Sequence, residues 1–253
     1  MLSQTEPHPA PAAPSSEVIP SDLDLLEGRS RLPLWALPPV QWLLIALPLI
    51  ALGWLLDGPL ALTGSEDNIN QWFADRRQDW LDELTVIPTR LASTEGIVIV
   101  AGLAAVFFVA RRRWPSLVLM GWALTAELTI FLFTNLVIGR PRPDVVKLDS
   151  VPATSSFPSG HVAATVALYG SLALIVTLRD RRPVAAAALW VWAVFATVAV
   201  AFARVYRGAH HVSDVIGGAA LGVACIIAAT ILAHRAAEWM RDRGHLVEAQ
   251  DLS

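Results

Sequence analysis

Three things that soluble proteins use freely are scarce in this sequence: cysteine, lysine and charge. Cys225 is the single cysteine, which excludes an intrachain disulfide, and Lys147 is the single lysine. Only 16% of the 253 residues are charged and the formal net charge is −3, so the composition offers no basic surface for nucleic acid. Apolar residues make up 55% of the chain, and its mean hydropathy of +0.52 is too high for an ordinary soluble domain.

The apolar residues are concentrated in six runs that are long enough, or nearly so, to cross a bilayer as helices of about 20 residues. These runs cover residues 35–56, 91–110, 116–138, 161–178, 184–203 and 212–234. We therefore predict an all-α, polytopic membrane protein whose six transmembrane helices form a bundle within residues 31–237. A soluble helical bundle is the alternative, and the composition argues against it.

Both ends of the chain differ in composition from these runs. Residues 1–30 are rich in Pro, Ser, Ala and acidic residues, which is typical of a disordered segment. Residues 238–253 form a short charged stretch. We predict that both are cytoplasmic tails, because the positive-inside rule places arginine-rich flanks inside. Those flanking arginines are residues 29, 31, 111–113, 179, 181, 182, 235, 241 and 243.

The first loop, residues 57–90, lies on the opposite, outer side in this topology. Its apolar residues fall close to helical spacing with charged residues between them, and they are Ile69, Trp72, Phe73, Trp80 and Leu84. This pattern predicts an amphipathic helix on the outer membrane surface. A cap packed on the bundle is the alternative, and the two are compatible.

Two polar segments interrupt the apolar sequence on the same outer side. The first contains Arg140-Pro141-Arg142-Pro143 and then Pro158-Ser159-Gly160-His161. Proline disfavours helix at the preceding residue, so Arg140 and Arg142 are expected on extended backbone, with guanidinium donors suited to phosphate oxygens. Ser159, Gly160 and His161 open a helix whose free N–H groups favour an anion. An arginine pair at the lipid headgroups and a plain helix cap are the alternatives.

The second polar segment runs from Arg204 to Asp214 and has the most specific spacing. His210 and Asp214 are four residues apart, so they share a face if this segment is helical. A carboxylate beside an imidazole holds its tautomer, which leaves the other ring nitrogen free to act as a nucleophile. His211 points elsewhere on a helix and is expected to be accessory or structural.

Together these residues resemble the three-part signature of the type 2 phosphatidic acid phosphatase family, membrane lipid phosphatases that share a phosphate site with vanadium-dependent haloperoxidases. The matching residues are Arg142-Pro143, Pro158-Ser159-Gly160-His161, and Arg204 with His210 and Asp214. The resemblance implies that His210 forms a phosphohistidine, that Asp214 orients it, and that His161 protonates the leaving oxygen. It also implies a phosphate cradle made by Arg142, Arg204, Ser159 and the Gly160 N–H, with no metal and no cofactor.

Two departures from the family pattern concern the cradle. The family's first motif opens with a lysine at the position of Asn135, which can still donate a hydrogen bond to phosphate, and Arg140 or Lys147 is expected to compensate for the lost charge. The third motif begins with Ala203 where the family usually has serine. Glu127, in the third apolar run, is expected to make a structural hydrogen bond to a neighbouring helix, with a functional role as the alternative.

The sequence therefore predicts a metal-independent lipid phosphatase of a bacterial plasma membrane, with its active site on the outer face. Its expected substrate is a lipid phosphomonoester or diphosphate, such as undecaprenyl diphosphate or phosphatidic acid, and its other partners are membrane lipids. A lipid phosphotransferase, a phospholipid-binding or transport protein without hydrolysis, and a haloperoxidase with bound vanadate are the alternatives. No pattern in the sequence indicates an oligomeric state.

Overall fold

The helices of the computed structural model follow the predicted apolar runs, with a difference at the second run. The structure describes residues 33–151, 153–179 and 182–250, with side chains as far as Arg241; the predicted tail at residues 1–30 lies outside this part. The helices are α1 Leu37–Asp57, α2 Leu62–Ala74, α3 Asp79–Leu84, α4 Val86–Leu91, α5 Thr94–Ala110, α6 Trp114–Ile138, α7 Gly160–Arg179, α8 Pro183–Tyr206 and α9 Val212–Gln250. The described residues form no strand, which confirms the all-α prediction.

Five helices are long and apolar enough to cross a membrane, namely α1, α6, α7, α8 and α9. The second predicted span is different, because α5 has only 17 residues. It qualifies only together with the preceding segment Asp79–Leu91, from which it is bent by 45°. Ser93 marks the break, since its hydroxyl accepts a hydrogen bond from the Gly96 N–H and caps a new helix there. The described part of the chain therefore has six candidate spans only if this bent pair of segments is counted as one span.

The first loop folds as three short helices, α2, α3 and α4. Asn70 on α2 is buried, and its amide donates hydrogen bonds to the carbonyl oxygens of Val205 at 3.0 Å and His210 at 3.1 Å. Phe73 on the same helix packs edge-on against Phe202 of α8. These contacts agree with the alternative expectation of a cap packed on the bundle, while a helix lying on the membrane surface stays a prediction.

Small residues on α9 let the beginning of α7 approach its backbone. A Cβ added at Gly218 would lie 2.4 Å from the Ser159 carbonyl oxygen, and a Cβ added at Gly222 would lie 2.6 Å from the Cβ of Val166. The approach also brings the Ser159 N–H within 2.9 Å of the Asp214 carbonyl oxygen. The two polar segments of the sequence therefore meet where α7 and α9 begin.

The last helix is longer than the predicted span. α9 continues to Gln250, and its membrane-compatible part covers Val212–Arg241. The predicted boundary of the C-terminal tail at residue 238 therefore falls inside a continuous helix.

Replacing Gly222 with Ala should destabilise the protein, because the new Cβ would overlap Val166 where α7 crosses α9. We expect a lower unfolding temperature in detergent, equivalent to about 1–3 kcal/mol. Gly121→Ala on α6 is the matched control, since nothing lies within 4 Å of its added Cβ. That control should be neutral or more stable by up to about 1 kcal/mol. Equal effects of the two substitutions would contradict the close helix crossing.

Candidate active site

Arg142 lies on the extended segment that leaves α6. Gly139 ends that helix with a φ of 67°, a left-handed conformation that favours glycine, and the chain continues into the polar loop 140–159. The Arg142 guanidinium donates a hydrogen bond to the Ala209 carbonyl oxygen at 2.9 Å and makes longer contacts of 3.4 Å to Thr154 and Ser155. Its Nε is buried and has no hydrogen-bond partner among the described residues. Arg142 therefore keeps donor capacity for a ligand.

The amino end of α7 supplies three further groups. Ser159 is fully buried, its hydroxyl has no partner in the described part of the chain, and it does not cap the helix. A Cβ added at Gly160 would lie 2.9 Å from ring carbons of Phe131, so a side chain at this position would collide with that ring. His161, in the first turn, lines the same cavity as Gly160. An uncapped helix beginning with a free hydroxyl favours a bound anion.

His210 lies in the turn between α8 and α9. Its Nδ1 is 2.8 Å from the Ser156 carbonyl oxygen, whereas the nearer Asp214 oxygen is 3.7 Å away. A carbonyl oxygen only accepts, so Nδ1 carries the proton and Nε2 keeps its lone pair. This differs from the expectation that Asp214 orients His210 directly. The Ser156 carbonyl makes the hydrogen bond, and Asp214 contributes a nearby negative charge.

The environment of His210 favours its neutral form. Burial lowers the pKa of His210 below its ordinary value, and although Asp214 opposes this shift, the charges of Arg204 and Arg142 lower the pKa further. At neutral pH the ring is therefore unprotonated at Nε2, which is the state that a nucleophile requires.

Arg140 does not line the cavity, in contrast to the predicted phosphate-binding role. Its side chain is fully buried and forms ion pairs with Asp214 and, at 2.8 Å, with Glu66 of α2. It also donates a hydrogen bond to the Ser213 hydroxyl at 2.6 Å. The side-chain donors of Arg140 are therefore directed at protein groups and away from the cavity. The sequence did not single out Glu66, which lies 74 residues before Arg140 and follows no local motif.

His211 joins two carboxylates in the same buried layer. Its Nδ1 lies 3.3 Å from an Asp214 oxygen and its Nε2 lies 3.1 Å from an Asp67 oxygen. Its backbone N–H donates a further hydrogen bond to Asp214 at 2.8 Å. These contacts agree with the expected structural role of His211. They also explain why Asp214 is not hydrogen-bonded to His210, since both of its oxygens have other donors.

Asp149 is a second acidic residue that sequence analysis missed, because it lies in a loop without a recognisable pattern. Arg204 donates to it at 2.9 Å, and Arg207 contacts both carboxylate oxygens at 2.7–3.0 Å. Burial raises the pKa of Asp149, but the hydrogen bonds and charges of Arg207 and Arg204 outweigh burial and hold the pKa below its ordinary value. The Nε of Arg204 is buried and has no partner within the described residues.

Three other residues named from the sequence have different positions from those expected. Asn135 donates a hydrogen bond to the Ser155 carbonyl oxygen at 2.7 Å and does not line the cavity. Lys147 donates to the Pro143 carbonyl oxygen at 2.9 Å, so neither it nor Arg140 replaces the missing lysine inside the cavity. Glu127 forms no hydrogen bond to a neighbouring helix in the described structure and lines the cavity instead.

Five of the predicted site residues line a cavity of about 240 Å³, namely Arg142, Gly160, His161, Arg204 and His210, whereas Ser159 and Asp214 do not line it. Its polar wall contains Arg142, Thr154, Gly160, His161, Arg204 and His210, and its other wall contains Ala92, Thr94, Glu127, Leu128, Phe131 and Ala164. Within the described ranges, no three His, Cys, Asp or Glu side chains are grouped as a metal site would require. The polar wall can hold a tetrahedral anion beside a nucleophilic nitrogen and a second imidazole.

Comparisons with known proteins identify relatives that act on lipid phosphates. Residues 116–238 match the sequence model of the PAP2 superfamily. Phosphatidylglycerophosphatase B of Bacillus subtilis is 28% identical over 169 residues, which cover 64% of this chain and 80% of that protein. Lipid A 1-phosphatase of Rhizobium etli is 26% identical over 215 residues, which cover 74% of this chain and 82% of that protein.

Two solved structures resemble the fold. The crystal structure of a transmembrane PAP2-type phosphatidylglycerolphosphate phosphatase from Bacillus subtilis matches with a TM-score of 0.63 and 27% identity, covering 78% of this chain and 96% of that one. Aquifex aeolicus LpxE matches with a TM-score of 0.51 and 22% identity, covering 64% and 92% of the two chains. The second likeness concerns the fold alone.

The different positions of Arg140 and Arg142 predict different effects of their removal. Arg140→Ala leaves two buried carboxylates unpaired and should lower the free energy of unfolding by about 3–5 kcal/mol. Arg142→Ala should leave the unfolding temperature nearly unchanged but weaken binding of inorganic phosphate or vanadate by at least tenfold. Thermal unfolding in detergent and anion titration measure the two effects. The reverse pattern would place Arg140 in the cradle.

The surroundings of His210 predict an unusual titration. Burial disfavours the imidazolium, so His210 should stay neutral as the pH falls through about 6.5, where an unperturbed imidazole gains its proton. In protein labelled at the histidine ring carbons, the signal that disappears in His210→Ala should titrate below that pH in the wild type. A midpoint at or above 6.5 would contradict the neutral, buried ring.

Proposed function

We propose that the chain is a membrane lipid phosphatase of the PAP2 superfamily and that it hydrolyses a lipid phosphomonoester or diphosphate through a phosphohistidine intermediate. The match of residues 116–238 to the superfamily model and the named phosphatases among its relatives support this. The observation that carries the proposal is the hydrogen bond from His210 Nδ1 to the Ser156 carbonyl oxygen, which leaves Nε2 free beside two arginines. Simple anion binding does not require a nucleophile with a fixed tautomer.

In the first step, His210 Nε2 attacks phosphorus and a new N–P bond forms. The bond between phosphorus and the bridging oxygen of the lipid breaks, and its electron pair stays on that oxygen. His161, in the first turn of α7 and on the same cavity wall, donates a proton to the departing oxygen. The products are a lipid alcohol, or a lipid monophosphate when the substrate is a diphosphate, and a phosphorylated His210.

In the second step, His161 is neutral and accepts a proton from a water molecule that attacks phosphorus. The N–P bond breaks, the electron pair returns to His210 Nε2, and inorganic phosphate is released. A lipid hydroxyl in place of water would give phosphotransfer. A labelled phosphate distinguishes the two reactions, because it ends either in solution or in a second lipid.

The charge that develops on the transferred phosphoryl group is met by donors without partners of their own. Arg142 and Arg204 have unpartnered Nε groups, and Ser159 has an unpartnered hydroxyl at the beginning of α7. Donors that are fixed before the substrate binds do not have to reorient during the reaction. This supports a cradle of Arg142, Arg204, Ser159 and the Gly160 N–H, with Arg140 holding it from behind.

The lipid tail requires apolar surface next to the phosphate site. A second cavity, of about 280 Å³, is lined mainly by apolar side chains of α4 and α8, and Ala92 lines both cavities. The shared residue shows that the two cavities are adjacent, which supports a tail that leaves the phosphate site along α4 and α8. The names of the relatives favour phosphatidylglycerophosphate or lipid A as the type of substrate, and the phosphatidic acid and isoprenyl diphosphate types predicted from the sequence are the other candidates.

The orientation in the membrane follows from the same proposal. If α3 to α5 count as one bent span, the positive-inside rule supports six spans with both termini on the arginine-rich, cytoplasmic side and the phosphate site on the outer side. The chain would then act on the outer leaflet of a bacterial plasma membrane.

Removal of the nucleophile tests the mechanism. His210→Ala should release phosphate from phosphatidic acid in detergent at least a thousandfold more slowly than wild type, because the covalent step is lost. His234→Ala is the matched control, since this histidine lies on the exposed surface of α9. Both variants should unfold at the wild-type temperature within a few degrees. A folded His210→Ala protein that keeps the wild-type rate would falsify the phosphohistidine route.

A further inference from the structure

Glu127 is a buried carboxyl group without a protein partner. It lies near the middle of α6, its exposed fraction is 4%, and no hydrogen bond or ion pair joins it to another described residue. An ionisable side chain within a membrane span is costly unless another group or a ligand satisfies it. Since no described protein group satisfies Glu127, its hydrogen bonds go to whatever fills the cavity, either solvent or a bound substrate.

The carboxyl group of Glu127 lines the active-site cavity about one helical turn away from the proposed phosphate cradle. Phe131 follows Glu127 by one helical turn and contacts the position of Gly160, where the phosphate cradle begins. Ala164 follows Gly160 by one turn on α7 and lines the cavity as well. α6 ends and α7 begins at the polar loop. Glu127 therefore lies about 6 Å from the level of the cradle, on the side away from that loop.

The side of the cavity near Glu127 leads towards lipid. Leu128, the next residue on α6, is 52% exposed on the outside of the bundle although it also lines the cavity. Ala92, where the proposed tail path along α4 and α8 begins, lines the same cavity as Glu127, so the atoms between the phosphate ester and the tail would lie next to Glu127.

We propose that Glu127 is a specificity-determining residue that hydrogen-bonds an oxygen of the leaving group just beyond the phosphate ester. This rests on the proposed phosphatase function. A glycerol-based lipid phosphate carries ester oxygens or a hydroxyl in that position, a few bonds from phosphorus. An isoprenyl or alkyl phosphate has only hydrocarbon there and leaves the carboxyl group unsatisfied. Glu127 thus favours glycerol-based lipid phosphates.

The test compares two lipids with tails of similar length, phosphatidic acid and hexadecyl phosphate, in the same detergent. Glu127→Leu should lower kcat/KM for phosphatidic acid about tenfold, which corresponds to about 1.4 kcal/mol. It should leave kcat/KM for hexadecyl phosphate within about twofold of wild type. Glu127→Gln, which keeps a hydrogen-bonding group of the same length, should retain the preference for phosphatidic acid.

Stability separates this role from a structural one. Glu127→Leu removes an unpartnered carboxyl group, so its unfolding temperature should equal or exceed that of wild type. Thr134→Val is the matched control, because Thr134 is another buried side chain of α6 without a partner for its hydroxyl, and it lies outside the cavity. This control should keep the wild-type ratio of kcat/KM for the two lipids.

The remaining outcomes would overturn the inference. An equal loss on both lipids with a lower unfolding temperature would make Glu127 structural, and unchanged kcat/KM for phosphatidic acid would show that it touches no leaving-group oxygen. In both cases hydrolysis by the wild type would leave the phosphatase function intact. If the folded wild type released phosphate from neither lipid, the inference and the phosphatase proposal would fail together.

Discussion

The geometry of the proposed phosphate site depends on one buried cation, the guanidinium of Arg140. It lies between Asp214 at the beginning of α9 and Glu66 of α2, while its own backbone hydrogen-bonds to Ser155 and Ser156. Three segments that are far apart in sequence therefore share a single charge centre. Removing one member of a buried ion pair leaves an uncompensated charge, which costs several kcal/mol. The segments are consequently held in one arrangement. This arrangement fixes the positions of the groups that face the cavity, because those groups belong to the same or adjoining segments.

The two sides of the site differ in whether their polar groups have hydrogen-bond or ion-pair partners. Behind the cavity, the charges of Arg140 and Asp214 have close partners. In front, the Ser159 hydroxyl and the Nε groups of Arg142 and Arg204 are buried without any partner in the described structure. Buried donors without partners are rare in folded proteins. Arg142 and Arg204 line the cavity and Ser159 directly precedes Gly160, which also lines it, so their free donors support the proposal that an anion completes their hydrogen bonds. The rigid rear layer keeps these donors directed at the place where phosphate charge develops.

Local features were predictable from the sequence and long-range pairs were not. Apolar runs indicated the helices, and the motifs that resemble the family signature indicated His161, Arg204 and His210, which meet at the cavity. The inward direction of Arg140 depends on Glu66, which no local pattern connects to it. The hydrogen bond to His210 comes from a backbone carbonyl, which every residue type carries, so no side chain marks it. The break before α5 depends on a serine cap within an otherwise apolar run.

Asp149 has a consequence for the end of the catalytic cycle. Its carboxylate is fixed against Arg204 and Arg207, so an incoming phosphate meets less net positive charge than the arginines alone would provide. A site with several uncompensated guanidinium groups would hold inorganic phosphate tightly and become inhibited by its own product. The carboxylate of Asp149 competes with phosphate for the same donors, which lowers the affinity of the site for inorganic phosphate. The lipid substrate is affected less, because its tail provides additional binding. In the proposed reaction, Asp149 thereby favours turnover over retention of the product.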